Sequence, residues 1–361
     1  MVNRLLQYFL VSLITLAVMA AAGEATLRVI SGGMYVERTT IELNPLYEYQ
    51  NIPNIDSPHP LEDGTLNVLH TNSVGFAGRE YAYEKPQNTT RIMVIGDSFI
   101  EGKSIQAEKL LTTFLEDDLN AGGKIIEVIP RGTSSWATEN EVLYLKNEGI
   151  RYNPDVVVIA FFANDVMDNF DKKLYTLGPD GKLQDNTPFK FTLWQTSQIW
   201  CRSVSELCGF VRFKIYPLIF GEGRTNNFYW GIARDLVVGN TTQETSMNID
   251  ETKQILEEFL RLSKEKGFKP ILLIIPFKEQ VDSESMEKSL AQNGISPDDV
   301  DIMKTNRIIA DIGNKIGLDV LDPTQFLIEK NKDGKVYYAA DAHLNARGNE
   351  VLAEYLATRL P

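Results

Sequence analysis

Three short stretches carry side chains whose types and spacing suit acyl-transfer chemistry. Ser98 stands in Ile95-Gly96-Asp97-Ser98-Phe99, at the end of a short apolar run. A serine on a tight glycine turn, with a helix N-terminus beside it that favours negative charge, is placed as a nucleophile. A serine or aspartate there could equally cap the helix. Asn164 ends a second apolar run, in Phe161-Phe162-Ala163-Asn164-Asp165. Its amide could donate to a developing oxyanion, or simply close a turn. His343 lies in Asp341-Ala342-His343-Leu344-Asn345. A carboxylate two residues before a histidine can fix its tautomer and stabilise the imidazolium, the role a general base needs. The chain has only three histidines, His59, His70 and His343. Asp56 lies three residues before His59 and Asp63 seven before His70, so neither repeats the two-residue spacing of Asp341 and His343, and His343 is the expected base.

The elements that must position these groups follow from apolar patterning. Apolar runs at residues 92–95, 125–129 (broken only by Glu127), 156–162, 271–275 and 320–321 read as buried strands, with amphipathic helices between them. This alternation predicts an α/β fold, a flavodoxin-like three-layer αβα sandwich with a five-stranded parallel sheet. Sites in such sheets lie at the carboxyl ends of the strands, where Ser98, Asn164 and His343 all fall.

The flanks are different. Residues 5–22 are almost wholly apolar, preceded by Arg4, and no acid occurs before Glu24. The segment 1–29 reads as a retained signal anchor or a cleaved signal peptide, with Arg4 cytoplasmic and the rest exported. Residues 30–89 are polar and proline-bearing, an expected irregular extension. The main domain is expected over 90–361, interrupted at about 169–248 by an insert with Trp194, Trp200, Trp230, Phe189, Phe191, Phe213, Tyr216, Phe220, Phe228 and Tyr229. These aromatic faces could line a groove or lid, or form a small hydrophobic subdomain. Cys201 and Cys208 would stand about 10 Å apart on one helix, so a bridge requires a break between them. Two buried thiols are the alternative.

Composition narrows the class. With 36 Lys and Arg against 49 Asp and Glu, the net charge is −13, which argues against a nucleic-acid partner. Two cysteines exclude a zinc finger and a disulfide scaffold. No glycine-rich loop with a P-loop lysine follows the first strand, so phosphate binding is disfavoured.

With these residues in place, the sequence resembles the SGNH hydrolase superfamily of GDSL-like esterases and lipases, over about residues 70–175 and 250–361. Gly96-Asp97-Ser98-Phe99 is similar to the first family block, with Ser98 as nucleophile. Asn164-Asp165 is similar to the third block, and Asp341 with His343 to the last. The stretch from Asp341 to Gly348, and Asn72-Ser73-Val74-Gly75-Phe76 upstream, resemble membrane-anchored members of the cell envelope. The resemblance implies the catalytic residues Ser98, Asp341 and His343, and an oxyanion hole from the Ser98 and Ser135 N–H groups and the Asn164 amide. It implies no metal and no cofactor. Its family block with Asn, then Gly five residues on, is occupied here by Pro130 and Ser135. Phe162 stands at the glycine position of the third block, and Asp341 and His343 are two apart, where three is commoner. The implied function is a serine ester hydrolase acting outside the cytoplasmic membrane, on acyl esters of carbohydrates or other envelope molecules. The same triad could pass the acyl group to a sugar hydroxyl. The departures at Pro130 and Ser135 also leave open a binding or assembly module that keeps the fold without catalysis.

Overall fold

The computed structural model describes residues 2–31, 40–62, 66–172, 174–177, 183–215, 218 and 234–361. The chain forms two compact units, one from Met1–Thr40 with Phe191–Phe228 and one from Ile41–Lys190 with Tyr229–Pro361.

The second unit is built on five strands: β1 (Thr90–Gly96), β2 (Ile126–Gly132), β3 (Val156–Phe161), β4 (Lys269–Ile274) and β5 (Asp319–Leu321). All neighbours are parallel, in the spatial order β2-β1-β3-β4-β5. The strands are apolar on both sides because both faces are covered. Ile92, Val94, Val156, Val158, Ile271 and Leu273 join one core layer, beneath the helices Leu111–Asn120 and Ala346–Ala357. Met93, Ile95, Val157, Ile159, Leu272 and Ile274 join the other, beneath Thr138–Asn147, Gln243–Lys266 and Lys304–Ile316. The expected five-stranded αβα sandwich is the observed fold. Its strand order reverses around β1, which puts the crevice between β1 and β3 at the switch point where such sheets bind ligands.

The extension expected to be irregular carries structure. Ile41–Asn44 pairs with Glu48–Asn51, and Asp56–Pro60 with Leu66–His70, as two antiparallel hairpins. Pro58 and Pro60 argue against a central strand, but in a two-stranded ribbon every strand is an edge, where proline is tolerated.

The first unit contains the helix Val2–Ser31, whose stretch Leu6–Ile30 is long and apolar enough to cross a membrane. It also contains the helices Leu193–Val204 and Glu206–Phe210, separated at Ser205. That break brings the Cys201 and Cys208 Cα atoms to 5.8 Å, and the two form a disulfide. Glu24 accepts the backbone N–H groups of Glu206 and Leu207 at 3.1 and 2.9 Å and the Ser205 hydroxyl at 2.8 Å. Of the insert's aromatic residues, Trp194 is exposed. Tyr216, Phe220, Phe228, Tyr229 and Trp230 lie outside the described residues, as do the side chains of Trp200 and Phe213.

Candidate active site

β1 ends at Gly96, in register with Gly132 of β2 and Ala160 of β3. Ser98, Ser135 and Asn164 therefore follow three adjacent strands on the same rim. Asp97, not Ser98, caps the short helix Ser98–Glu101, accepting the Phe99 N–H at 2.9 Å. The serine hydroxyl is thus left for another partner. Ser98 Oγ stands 2.8 Å from His343 Nε2.

His343 arrives from the far end of the chain. Asp341 Oδ1 accepts its backbone N–H at 2.8 Å and stands 2.5 Å from its Nδ1. With the Nδ1 proton directed to Asp341, Nε2 is the acceptor and Ser98 Oγ–H the donor. The Phe99 ring packs on the imidazole at 4.8 Å between centroids and on Phe162 at 4.7 Å. Phe162, which stands where the resemblance implied a glycine, therefore backs the ring that backs the histidine.

Charge around the histidine decides its protonation. Burial alone would lower the His343 pKa, but the bond and charge of Asp341, then the charges of Asp97 and Glu101, outweigh it and raise it above 6.5. Burial would raise the Asp341 pKa, yet the His343 contacts and Lys278 hold it below the usual carboxylate value. Asp97 is fully buried and is pushed up to about 6, burial being the main cause, with Asp168 and Glu101 adding to it. Asp165 and Glu141 lie deeper still, and burial with neighbouring carboxylates raises both well above the usual range.

The turn that carries Asp341 is held from two sides. Lys278 Nζ donates to the Tyr338 and Ala339 carbonyls at 2.7 and 2.6 Å. Glu62, from the extension, accepts the N–H of Ala339 at 2.8 Å and that of Ala340. Asn345 caps the last helix through Gly348 N–H at 2.9 Å, and its amide binds the Lys335 and Tyr337 carbonyls at 2.9 and 3.1 Å. Gly348 is required there, since a Cβ would come within 2.0 Å of the Val336 carbonyl oxygen.

Asn164 donates its amide to Asp168 Oδ2 at 2.7 Å, one helical turn on, which leaves its second N–H for another acceptor. Ser135 adopts φ +70°, the left-handed conformation glycine takes freely and other residues take at a cost of about 1–2 kcal/mol. Ser135 thus stands in a backbone conformation that glycine adopts without strain. Ser98, His343, Ser134, Lys103, Ile105 and Leu344 line a cleft of about 90 Å³.

The structure thus brings Ser98, His343 and Asp341 into one hydrogen-bonded chain, with Ser135 and Asn164 on the neighbouring strand ends. Such a chain can deprotonate a serine hydroxyl as it attacks an acyl carbon and return the proton to the leaving group. The other two histidines lie on the hairpin strands, and His70 pairs there with Asp56 at 2.7 Å, both side chains exposed. That acid is 14 residues away in sequence, so proximity along the chain missed it. Sequence reasoning also missed Glu62, Lys278, Glu101 and Lys103. Their contacts are set by loop packing, and only the charge of Lys103, five residues after Ser98, was a local signal.

Residues 238–361 match the family described as SGNH hydrolase-like domain, acetyltransferase AlgX. No curated protein matches the chain. Solved structures of similar architecture include an acetyl xylan esterase, at 15% identity over 75% of this chain and 100% of that one, with a TM-score of 0.41. Another is a lipase/acylhydrolase from Enterococcus faecalis, at 16% identity over 75% of this chain and 94% of that one, also at 0.41.

Proposed function

We propose that the chain is a membrane-tethered serine enzyme of the SGNH hydrolase type that cleaves acyl esters of envelope carbohydrates, a reading supported by the family match of residues 238–361. The observation that carries this reading is the continuous hydrogen-bonded chain Ser98–His343–Asp341. Ser98 Oγ attacks the ester carbonyl, its proton passes to His343 Nε2, and the new C–O bond leaves an oxyanion. The Ser98 and Ser135 N–H groups and the Asn164 amide receive that charge. Collapse expels the alcohol, protonated by His343. Water then attacks the acyl-serine, with His343 again taking the proton.

The cleft beside Ser98, about 90 Å³ and walled by Phe99, Ile105 and Leu344, suits a short acyl group such as acetyl. The helix with the stretch Leu6–Ile30 serves as the anchor, with Arg4 inside and the sheet unit outside. The Cys201–Cys208 disulfide fits an oxidising compartment.

A second reading sends the acyl group to a sugar hydroxyl in place of water. The match of residues 238–361 to a family described as acetyltransferase favours it. Incubation of the full chain in detergent with p-nitrophenyl acetate, with and without an oligosaccharide acceptor, separates the two. Acetylated acceptor indicates transfer, and free acetate regardless of acceptor indicates hydrolysis. Fluorophosphonate labelling with peptide mapping tests both: the adduct is expected on Ser98 and lost in Ser98→Ala. Equal turnover by wild type and Ser98→Ala would sink the enzyme reading.

A further inference from the structure

We propose that Glu101 is a positioning residue that acts through Ser134 to hold Ser135 in the left-handed conformation from which its N–H serves the oxyanion. The inference rests on the reading of Ser98, His343 and Asp341 as the catalytic triad.

Glu101 ends the short helix that begins with Ser98, and its side chain is fully buried. One oxygen, Oε2, accepts the Ser134 backbone N–H at 3.2 Å and also the Ser134 hydroxyl. Lys103 Nζ lies 3.5 Å from the same oxygen and 3.2 Å from Ser134 Oγ. A buried carboxylate therefore binds both the backbone and the side chain of the loop residue just before Ser135.

The rest of the loop is clamped around it. A Cβ on Gly132 would stand 2.0 Å from the Glu101 backbone nitrogen, so only glycine lets strand β2 approach the nucleophile helix this closely. The Gly132 carbonyl accepts the Asn51 amide at 2.8 Å, and Thr133 N–H donates to the Gly96 carbonyl at 3.2 Å. On the far side Trp136 is buried; its backbone N–H donates to the Thr133 carbonyl at 3.1 Å and its indole N–H to the Tyr49 carbonyl at 2.8 Å. Ser134 is thus fixed from below and Trp136 from behind, and the residue between them has φ +70°. A non-glycine residue persists in that region where its surroundings over-determine it. Glu101 supplies the constraint that a glycine at this position would not need.

The test is a two-by-two comparison on the full chain in detergent, with p-nitrophenyl acetate as substrate. Glu101→Gln in the native background is expected to lower kcat by about 10–100-fold, up to the cost of one oxyanion donor, with KM within about twofold. In a Ser135→Gly background the same change is expected to cost less than about threefold, because glycine takes the conformation unaided. Ser134→Ala removes the hydroxyl that donates to Glu101 while keeping the carboxylate and the backbone bond, and the same suppression by Ser135→Gly is expected for it, which keeps the test open if Glu101→Gln fails to fold. Equal losses in both backgrounds, or a raised KM with kcat held, overturn the proposal. Full turnover by Ser98→Ala would overturn the triad reading instead.

Discussion

One oxygen of Asp341, Oδ1, lies 2.8 Å from the backbone nitrogen of His343 and 2.5 Å from its ring Nδ1. The two-residue spacing makes this double contact possible, because an aspartate side chain reaches its own backbone two residues on. The imidazole plane is thereby tied to the main chain, and the Asp-x-His order departs from the commoner spacing without loosening the pair.

That pairing sets a pH dependence. A general base must be neutral, and the His343 pKa lies above 6.5, so kcat/KM should climb with pH through a limb above 6.5. In Asp341→Asn the raising bond and charge are gone and burial still lowers the value, so the limb moves to lower pH. The plateau should fall by about 10³–10⁴, as the ring loses its tautomer and the imidazolium its counter-charge. A pH–rate profile of both proteins measures this. An unmoved limb would show that the observed ionisation belongs to another group.

Asn164→Ala should reduce kcat by about 10²–10³ with little change in KM, since the amide would act on the oxyanion and not on the bound ester. Steady-state kinetics with p-nitrophenyl acetate decides it. A loss confined to KM would assign the residue to ground-state binding.

Asp97→Asn should stabilise the protein at neutral pH while keeping the cap to Phe99 N–H, for asparagine caps as well as aspartate. The folded pKa of about 6 lies above the ordinary 3.8, so burying the charge destabilises the fold once the pH exceeds both values. The gain is up to about 3 kcal/mol above pH 6, shrinks between 6 and 3.8, and vanishes below, where both states are protonated. Denaturant melts at pH 8 and pH 3.5 would show it as a difference between the two conditions. A gain of the same size at both would refute the linkage.

Glu62→Ala tests the brace on the acid–base turn. It removes the acceptor of the Ala339 and Ala340 N–H groups, and kcat should drop about tenfold, roughly 1.4 kcal/mol of transition-state stabilisation. The carboxylate is exposed, so the melting temperature should barely move. A fall in stability that matches the fall in activity would make the residue structural only.

The sheet was legible because buried parallel strands announce themselves as apolar runs, and Ile92, Met93, Val94 and Ile95 feed two core layers alternately. Ser98 and His343 were legible for a related reason: each stands just beyond an element end, within a short motif whose local chemistry is complete. Glu101 and Glu62 were not. Each reaches a residue far along the chain, Ser134 or Ala339, and nothing in the neighbouring sequence marks the partner. The second hairpin was hidden because Pro58 and Pro60 argue against a strand unless that strand is known to be an edge. His70 shows the converse hazard, since its acid, Asp56, sits opposite on the partner strand.

The bond from Ser98 to His343 spans 245 residues of chain. Every strand of the sheet is synthesised between those two residues or just before the first, so on the proposed reading the nucleophile exists long before its base. On that reading the growing chain stays chemically silent until the helix Ala346–Ala357, which follows His343, has packed against the helix Leu111–Asn120. Completion of the fold and onset of the proposed activity are then a single event.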